Sequence, residues 1–520
     1  MKKYLMLTLA FLCAVCLVQL QQLHSATTPQ LAEQHHPVST RNPDAQSFFD
    51  RGLTLVYAFN SDAAVRAFQQ AAEFDPQLAM AYWGIALALG PGITRIPAPA
   101  ESNAAYLAIQ KALSLAPKTT NNERAYIEAL AKRYSSNSQA DAHQLAVNYK
   151  NAMGELVKRY PNDPDAATLY AESAMDLRPW RLWSKDGQPA QGTEEIVTVL
   201  ESVLKQTPSH LGANHYYIHA IEASLHPERA LASAQRLSKL RVMPAAGHLI
   251  HMPAHIYLRI GNYAAAARSN EDAIAIDQAY INSRGGNAAG TFYPHNLAFL
   301  VAAYSMEGRL VDALKAAAQL EKLGIPGMPT ATFVLVRFHQ WADILNLLQP
   351  KSEELESILA WHYARGMALA ATHRIEDAVS ELKSLNELNK TFDNPNRTLK
   401  ISQRVLSARV AQIKGDRQSA ISLLREAVNI QDSLDYSEPP SWYFPVRESL
   451  GGTLMVNGNY QEAEKVFRAD LVQNPHNGRS LFGLLQSLKA QGKQFEAQEI
   501  HSQFEAAWNH ADIQLRVEDL

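Results

Sequence analysis

The sequence predicts an all-α protein, a right-handed α-solenoid of roughly ten helix-turn-helix units over residues 42–512. Three observations carry that expectation. A spaced pattern of small and aromatic residues recurs along the chain. A glycine recurs five residues before a small residue in Gly261/Ala266, Gly308/Ala313, Gly415/Ala420, Gly458/Ala463 and Gly492/Ala497. Alternating strand patterns are nearly absent.

Taken in chain order, residues 1–26 stand apart. Lys2 and Lys3 precede an apolar run from Tyr4 to Val18, and small residues follow at Ser25-Ala26. A short basic region, a hydrophobic stretch and small residues make a signal peptide, with an uncleaved N-terminal anchor as the alternative. The chain is therefore expected to be exported, periplasmic or secreted. Residues 27–41 read as a linker and 513–520 as a tail. Both cysteines, Cys13 and Cys16, fall in the export segment, so the remaining chain has no thiol chemistry and no disulfide.

The first unit places Phe48, Gly52, Ala64, Phe68, Ala71 and Pro76 where two helices must pack closely and then stop. Tyr82, Ala86, Ala105, Ile109, Ala112 and Pro117 repeat the arrangement, and Gly451, Gly458, Ala463, Phe467 and Pro475 do so near the C-terminus. The small residues Gly52, Ala86, Ala254, Gly366, Ala408 and Gly451 mark the close approach of helix A to helix B. The recurrent glycines end helix A, because a left-handed residue without a Cβ closes a helix at no steric cost. Segments 90–102, 178–192 and 283–294 break the period and read as loops.

This pattern resembles that of tetratricopeptide repeat (TPR) proteins over almost the whole mature chain. The blocks AFNSDAAVRAF at 58–68, AMAYWGIALALGP at 79–91, LRPWRLW at 177–183 and EPPSWYFPVR at 438–447 resemble an exported bacterial subgroup of that family with His-rich central repeats. The family resemblance implies peptide or protein binding along a concave groove, and it carries no activity with it.

Composition excludes several classes. With 47% hydrophobic and 19% charged residues the chain is globular, and a net charge of -3 gives no basic excess to neutralise phosphates. No nucleic-acid partner is expected, and no membrane contact beyond the possible N-terminal anchor. There is no His-Glu-x-x-His, no P-loop, no Rossmann glycine fingerprint and no Gly-x-Ser-x-Gly elbow, so no nucleotide cofactor is expected.

The chemistry lies at 210–300. His215, His219 and Glu222 stand in one unit, His248, His251 and His255 in the next, and His295 in the third. When the units are aligned on Ala230, Ala266 and Ala313, His215 and His251 both lie 15 residues before the reference. His219 and His255 lie 11 before, His248 and His295 lie 18 before, and Glu222 lies 8 before. Separations of three, four and seven residues share one helical face, and that face of helix A lines the groove of a TPR superhelix. Six imidazoles and one carboxylate are thereby aimed at one space. Neutral imidazole is the commonest ligand for transition metals, so the pattern predicts a His/Glu site for copper or zinc. Met175, Arg178 and Met306 fall near the same register, and the thioethers tilt the choice toward copper.

If the centre catalyses, an ion with a vacant position activates water or dioxygen as in a metal-dependent hydrolase or oxidoreductase. Glu222 is then a ligand or the general base. Trp180, Trp183 and the glycine loop at 285–290 are candidate covers. His143, His339, His362, His373 and His476 read as ordinary surface or hydrogen-bonded residues, and Tyr257 and Tyr304 as packing aromatics. The competing reading is a metal-free scaffold that takes a peptide, a protein partner or a small substrate in its groove.

Overall fold

The computed structural model describes residues 33–137, 139–288, 291–325, 331–351, 355–390, 397–442 and 444–520. The expected export segment at 1–26 lies outside them. Everything regular within them is helical, and the only bridge pairs among the described residues are Gly92 with Arg95 and Trp183 with Pro189, both inside expected loops. Helices pair as antiparallel hairpins, each packed chiefly on the next, in a TPR-like solenoid. No described helix is long and apolar enough to cross a membrane.

Local chemistry accounts for the hairpins. Gly261, Gly308, Gly415, Gly458 and Gly492 all have φ between 74° and 82°, the left-handed closure expected of them. The following residue then opens helix B: the side chains of Asn262 and Asp416 accept the N–H groups of Ala265 and Ser419. Close approach is equally direct, since a Cβ on Gly52 would lie 2.6 Å from the Phe68 ring and one on Gly451 would lie 2.4 Å from Phe467.

Two features depart from the simple repeat. Helix A of the second His-rich unit is split into His248–His251 and Pro253–Arg259. Pro253 has no N–H and crowds the carbonyl four residues back, so the helix cannot run through it unbroken. The solenoid also folds back on itself instead of contacting only sequential neighbours. Asn60 Nδ2 donates to the Ala245 carbonyl at 2.8 Å. Tyr263 OH donates to the Pro475 carbonyl at 3.0 Å, and the Asp512 carboxylate accepts the N–H groups of Leu310 and Val311.

The segments at either end of the described residues are docked. Segment 33–41, read as a linker, is tied down by Gln34 N–H to Thr54 Oγ1 at 2.7 Å and by His36 to Asp165 at 2.9 Å. In the tail, Leu520 packs against Gly452.

Candidate metal centre

The fold-back decides the character of the central histidines. They were expected to line an open groove, but His215, His219, His248, His251 and His255 are buried and His295 is half-buried. Phe59 from the first unit, Phe292, Phe299 and Trp180 close over them.

The side chains form two adjoining clusters. One nitrogen each from His215, His219 and His248 lie within 4.8 Å of one another, and the same holds for His251, His255 and His295. Adjacent helices supply them: Leu211–Ile221 carries His215 and His219, the split helix carries His248, His251 and His255, and Tyr293–Glu307 carries His295. The two clusters touch, with the His219 and His255 ring centroids 5.4 Å apart and those of His248 and His251 5.5 Å apart.

Hydrogen bonds set the tautomers. His215 donates Nδ1–H to the Tyr57 carbonyl at 2.6 Å, across 158 residues of sequence. His219 Nδ1 meets Glu222 Oε1 at 2.7 Å and His255 Nδ1 meets Glu222 Oε2 at 2.5 Å. Burial alone would raise the Glu222 pKa, but His255 and His219 outweigh it and hold the carboxyl well below its ordinary range. A carboxylate can only accept, so both imidazoles carry their proton on Nδ1. His251 Nδ1 meets Asn270 Oδ1 at 2.7 Å, and Asn270 Nδ2 in turn donates to the Ala266 carbonyl at 2.8 Å. That second bond leaves Oδ1 as the acceptor, so His251 also carries its proton on Nδ1.

The consequence is a set of inward lone pairs. His251 Nε2 and His255 Nε2 face each other at 2.8 Å, and with both protons on Nδ1 neither can donate to the other. Protonating one is opposed by burial, which pushes the His251 pKa well below its ordinary value with help from His295, and lowers that of His255 despite Glu222. The Nε2 atoms of His215 and His219 and both nitrogens of His248 are buried without a hydrogen-bond partner. Each such atom costs about 1–3 kcal/mol. Burial and neighbouring imidazoles likewise push His215 and His248 far down and His295 to about 3. Neutral imidazole nitrogens converging in this way are what a transition-metal ion requires.

Several sequence expectations change at this point. Both oxygens of Glu222 are occupied by histidines from the two clusters, with Tyr436 OH 3.4 Å from Oε2. With His219 and His255, Glu222 makes a third group whose ligand atoms lie within 4.8 Å of one another, bridging the two clusters. Glu222 is also the C-cap of its helix and lies beyond the last regular turn. Met175 and His219 line the same pocket, as the register suggests, and the sulfur of Met306 accepts from Arg337 at 3.4 Å. Trp180 packs edge-on to His219 with centroids 5.5 Å apart. Trp183 instead donates its indole N–H to the Ala220 carbonyl at 2.7 Å and is an anchor. Of the glycine loop, residues 289–290 lie outside the described residues, and Phe292, stacked 3.9 Å from His248, is the wall there. The histidines read as ordinary include His339 beside Asp519 and His362 beside Glu381.

Tyr57, Asn270 and Phe59 complete the site and escaped the sequence reading. Phe59 had a signal: it stands five residues before Ala64, in the slot that glycine fills in five other units. It holds φ at 55°, a conformation unfavourable for a bulky residue. Its ring sits 4.4 Å from His215, 5.8 Å from His219 and 5.5 Å from His248.

No family model and no curated protein matches the chain. Among solved structures it is similar to the Cut9–Hcn1 hetero-tetramer of the APC/C, at 12% identity over 91% of this chain and 80% of that one, with a TM-score of 0.35. It is similar to yeast Tom70 at 13% identity over 87% and 96%, TM-score 0.31. Likeness to the human IFIT1 dimer with m7Gppp-AAAA is 12% over 90% and 91%, TM-score 0.32. Likenesses this low add nothing to the helical-repeat fold already described.

Proposed function

We propose that this chain is an exported metalloprotein that holds copper or zinc in its buried histidine centre, one ion to each three-histidine cluster. The observation that carries the reading is the facing pair His251 Nε2 and His255 Nε2 at 2.8 Å, which are both acceptors when Asn270 and Glu222 take the Nδ1 protons. A metal cation bound beside them removes their repulsion, whereas burial opposes a proton there. Tyr57, Asn270 and Glu222 are the outer groups that fix ring orientation and leave Nε2 free, the role such partners play behind metal-bound imidazoles.

Three protein ligands leave an ion an open position, the arrangement of catalytic sites as opposed to closed structural ones. The reading is therefore a metal-dependent oxidoreductase or hydrolase acting on a small substrate. A long peptide groove is disfavoured as the home of these histidines, because the chain's own residues cover them.

Elemental analysis of untagged, natively purified protein tests the proposal. Two equivalents of copper or zinc per chain are expected, falling to near zero when His251 and His215 are both replaced by alanine. A content below half an equivalent in the unaltered protein overturns it in favour of a metal-free scaffold.

A further inference from the structure

A separate group of ligand-bearing side chains lies where segment 33–41 crosses the first units. A nitrogen of His36 and one oxygen each of Asp163 and Asp165 lie within 4.8 Å of one another. The segment brings His36, and the start of helix Pro164–Met175 brings both carboxylates. Adjacent ligands of an octahedral ion at about 2.1 Å stand about 3 Å apart, and His36 Nδ1 and Asp165 Oδ2 are 2.9 Å apart.

The surroundings hold these groups in place and leave them short of positive charge. Asp165 Oδ1 accepts from Tyr57 OH at 2.7 Å and from His210 Nε2 at 3.0 Å. His210 Nδ1 accepts the Ala213 N–H, which puts the ring proton on Nε2. Burial would raise the Asp165 pKa, but His210 and His36 outweigh it and hold the carboxyl well below its ordinary range. Asp163 Oδ1 caps the helix by accepting the Ala166 N–H at 3.0 Å, and its Oδ2 accepts a long bond of 3.2 Å from Asn122. Two buried polar atoms there have no hydrogen-bond partner, Asn122 Oδ1 and the hydroxyl of Tyr126. Tyr126 is only 1% exposed, and its hydroxyl stands beside Asp163. Asp50 holds His35 and the His36 N–H, and Glu123 holds the Ser39 N–H, so two further carboxylates adjoin. Among the described residues none of these four carboxylates pairs with a lysine or arginine; their only ion-pair partners are histidines.

We infer that His36, Asp163 and Asp165 bind a divalent cation, with Asn122 and Tyr126 beside it. The ion clips segment 33–41 to helices Asn121–Ala131 and Pro164–Met175. Two carboxylates and one imidazole form a harder donor set than the central histidines, and it suits manganese(II). A neutral His36 ring then carries its proton on Nε2, and Nδ1 exchanges its hydrogen bond to Asp165 for a bond to the ion. Nothing in this site depends on the central histidines binding metal.

Manganese(II) added to the metal-stripped full chain tests the site, with binding followed by loss of the free-ion EPR signal. One ion per chain is expected, and it should slow hydrogen exchange of the His36, Val38 and Ser39 amides, which hold the segment down. Asp163→Asn keeps the helix cap, since Asn caps as well as Asp, and should weaken manganese binding at least about tenfold. His36→Arg supplies a permanent cation that cannot ligate; it should abolish binding and keep those amides protected without metal. His251→Ala should change nothing. Failure of the unaltered chain to bind manganese overturns the inference, as does equal binding by Asp163→Asn and His36→Arg. Binding that leaves the three amides exchanging at the metal-free rate removes the clip, and loss of binding in His251→Ala moves the ion to the central histidines.

Discussion

Two of the buried polar clusters in this molecule are built on opposite principles. In the C-terminal half Glu448 accepts from Arg337 at 3.1 and 3.2 Å, from Arg479 at 2.7 Å and from Asn477 at 2.9 Å. Asn477 and Ser480 then donate to Asp470 at 2.8 and 2.6 Å. Every charge there has a partner of opposite sign or a hydrogen bond. Among the central histidines Nδ1 of His215, His219, His251 and His255 is satisfied, whereas Nε2 of His215 and His219 and both nitrogens of His248 have no hydrogen-bond partner. A polar cluster that exists to hold the fold closes its own hydrogen bonds, whereas one that exists to hold something else leaves acceptors converging on a point. The comparison separates a structural network from a ligand site without reference to residue type.

The comparison breaks first on stability. Glu448→Ala strands two buried guanidinium groups and is expected to cost about 3–5 kcal/mol. Urea denaturation should give that loss equally in metal-free and metal-loaded protein, and a metal-dependent loss would merge the two clusters into one kind.

The histidine cluster should behave the other way. Copper or zinc at a hundredfold excess over Kd should stabilise stripped protein by about 2.7 kcal/mol, with chelator reversing the gain. His251→Ala should remove most of it in thermal melts, and the exposed His143→Ala none. If both variants respond alike, the ion is not in this centre.

Next in size is a sign that only bare acceptors predict. His248→Leu exchanges two unpartnered buried nitrogens for hydrocarbon. Metal-free protein should therefore gain about 1–2 kcal/mol, while the metal response weakens. A loss in the metal-free melt would mean that His248 has partners in solution.

The pH profiles of two buried carboxyls sharpen the contrast. Burial pushes Asp277, behind the histidines, up to about 7 despite its bond from Asn296. The folded chain therefore keeps a proton that the unfolded chain loses near the ordinary Asp value of about 3.9. Stability from this group falls as pH rises between those values, by at most about 1.4 kcal/mol per pH unit. Glu448 has the opposite sign: burial would raise it, but Arg337 and Arg479 hold it below its ordinary value. Its contribution is present above the unfolded Glu pKa and is lost as pH falls toward the folded one. Asp277→Asn should flatten the profile between pH 4 and 7 and leave the acid limb unchanged, and an unaltered slope would remove Asp277 from the account.

The smallest effect tests the repeat itself. A Cβ on Gly458 would meet nothing within 4 Å at φ 77°, so Gly458→Ala should cost only backbone strain, about 1 kcal/mol. Phe59 bears that same strain in the corresponding slot, and its contacts with three imidazoles offset it. A neutral Gly458→Ala in denaturation would show that the slot does not require left-handed backbone.

Much of this was legible in the chain. The glycine-to-small-residue spacing sets where each helix A stops, because only glycine takes the left-handed turn freely. The shared register of His215 with His251, and of His219 with His255, follows from 3.6 residues per turn. Both are local properties, and local periodicity is what a sequence displays. The split at Pro253 was also written there and was missed by assuming an unbroken helix.

Burial, tautomers and access were decided only by the tertiary structure. His215 owes its free Nε2 to the carbonyl of Tyr57, 158 residues earlier, and Glu222 lies beneath Tyr436, 214 residues later. Such contacts arise because the superhelix folds back upon its middle. No periodicity encodes that closure, since it is set by the summed geometry of every hairpin between the two partners. The sequence by itself determined which side chains share a helical face. The fold-back determined that they meet in the dry, with their lone pairs turned inward.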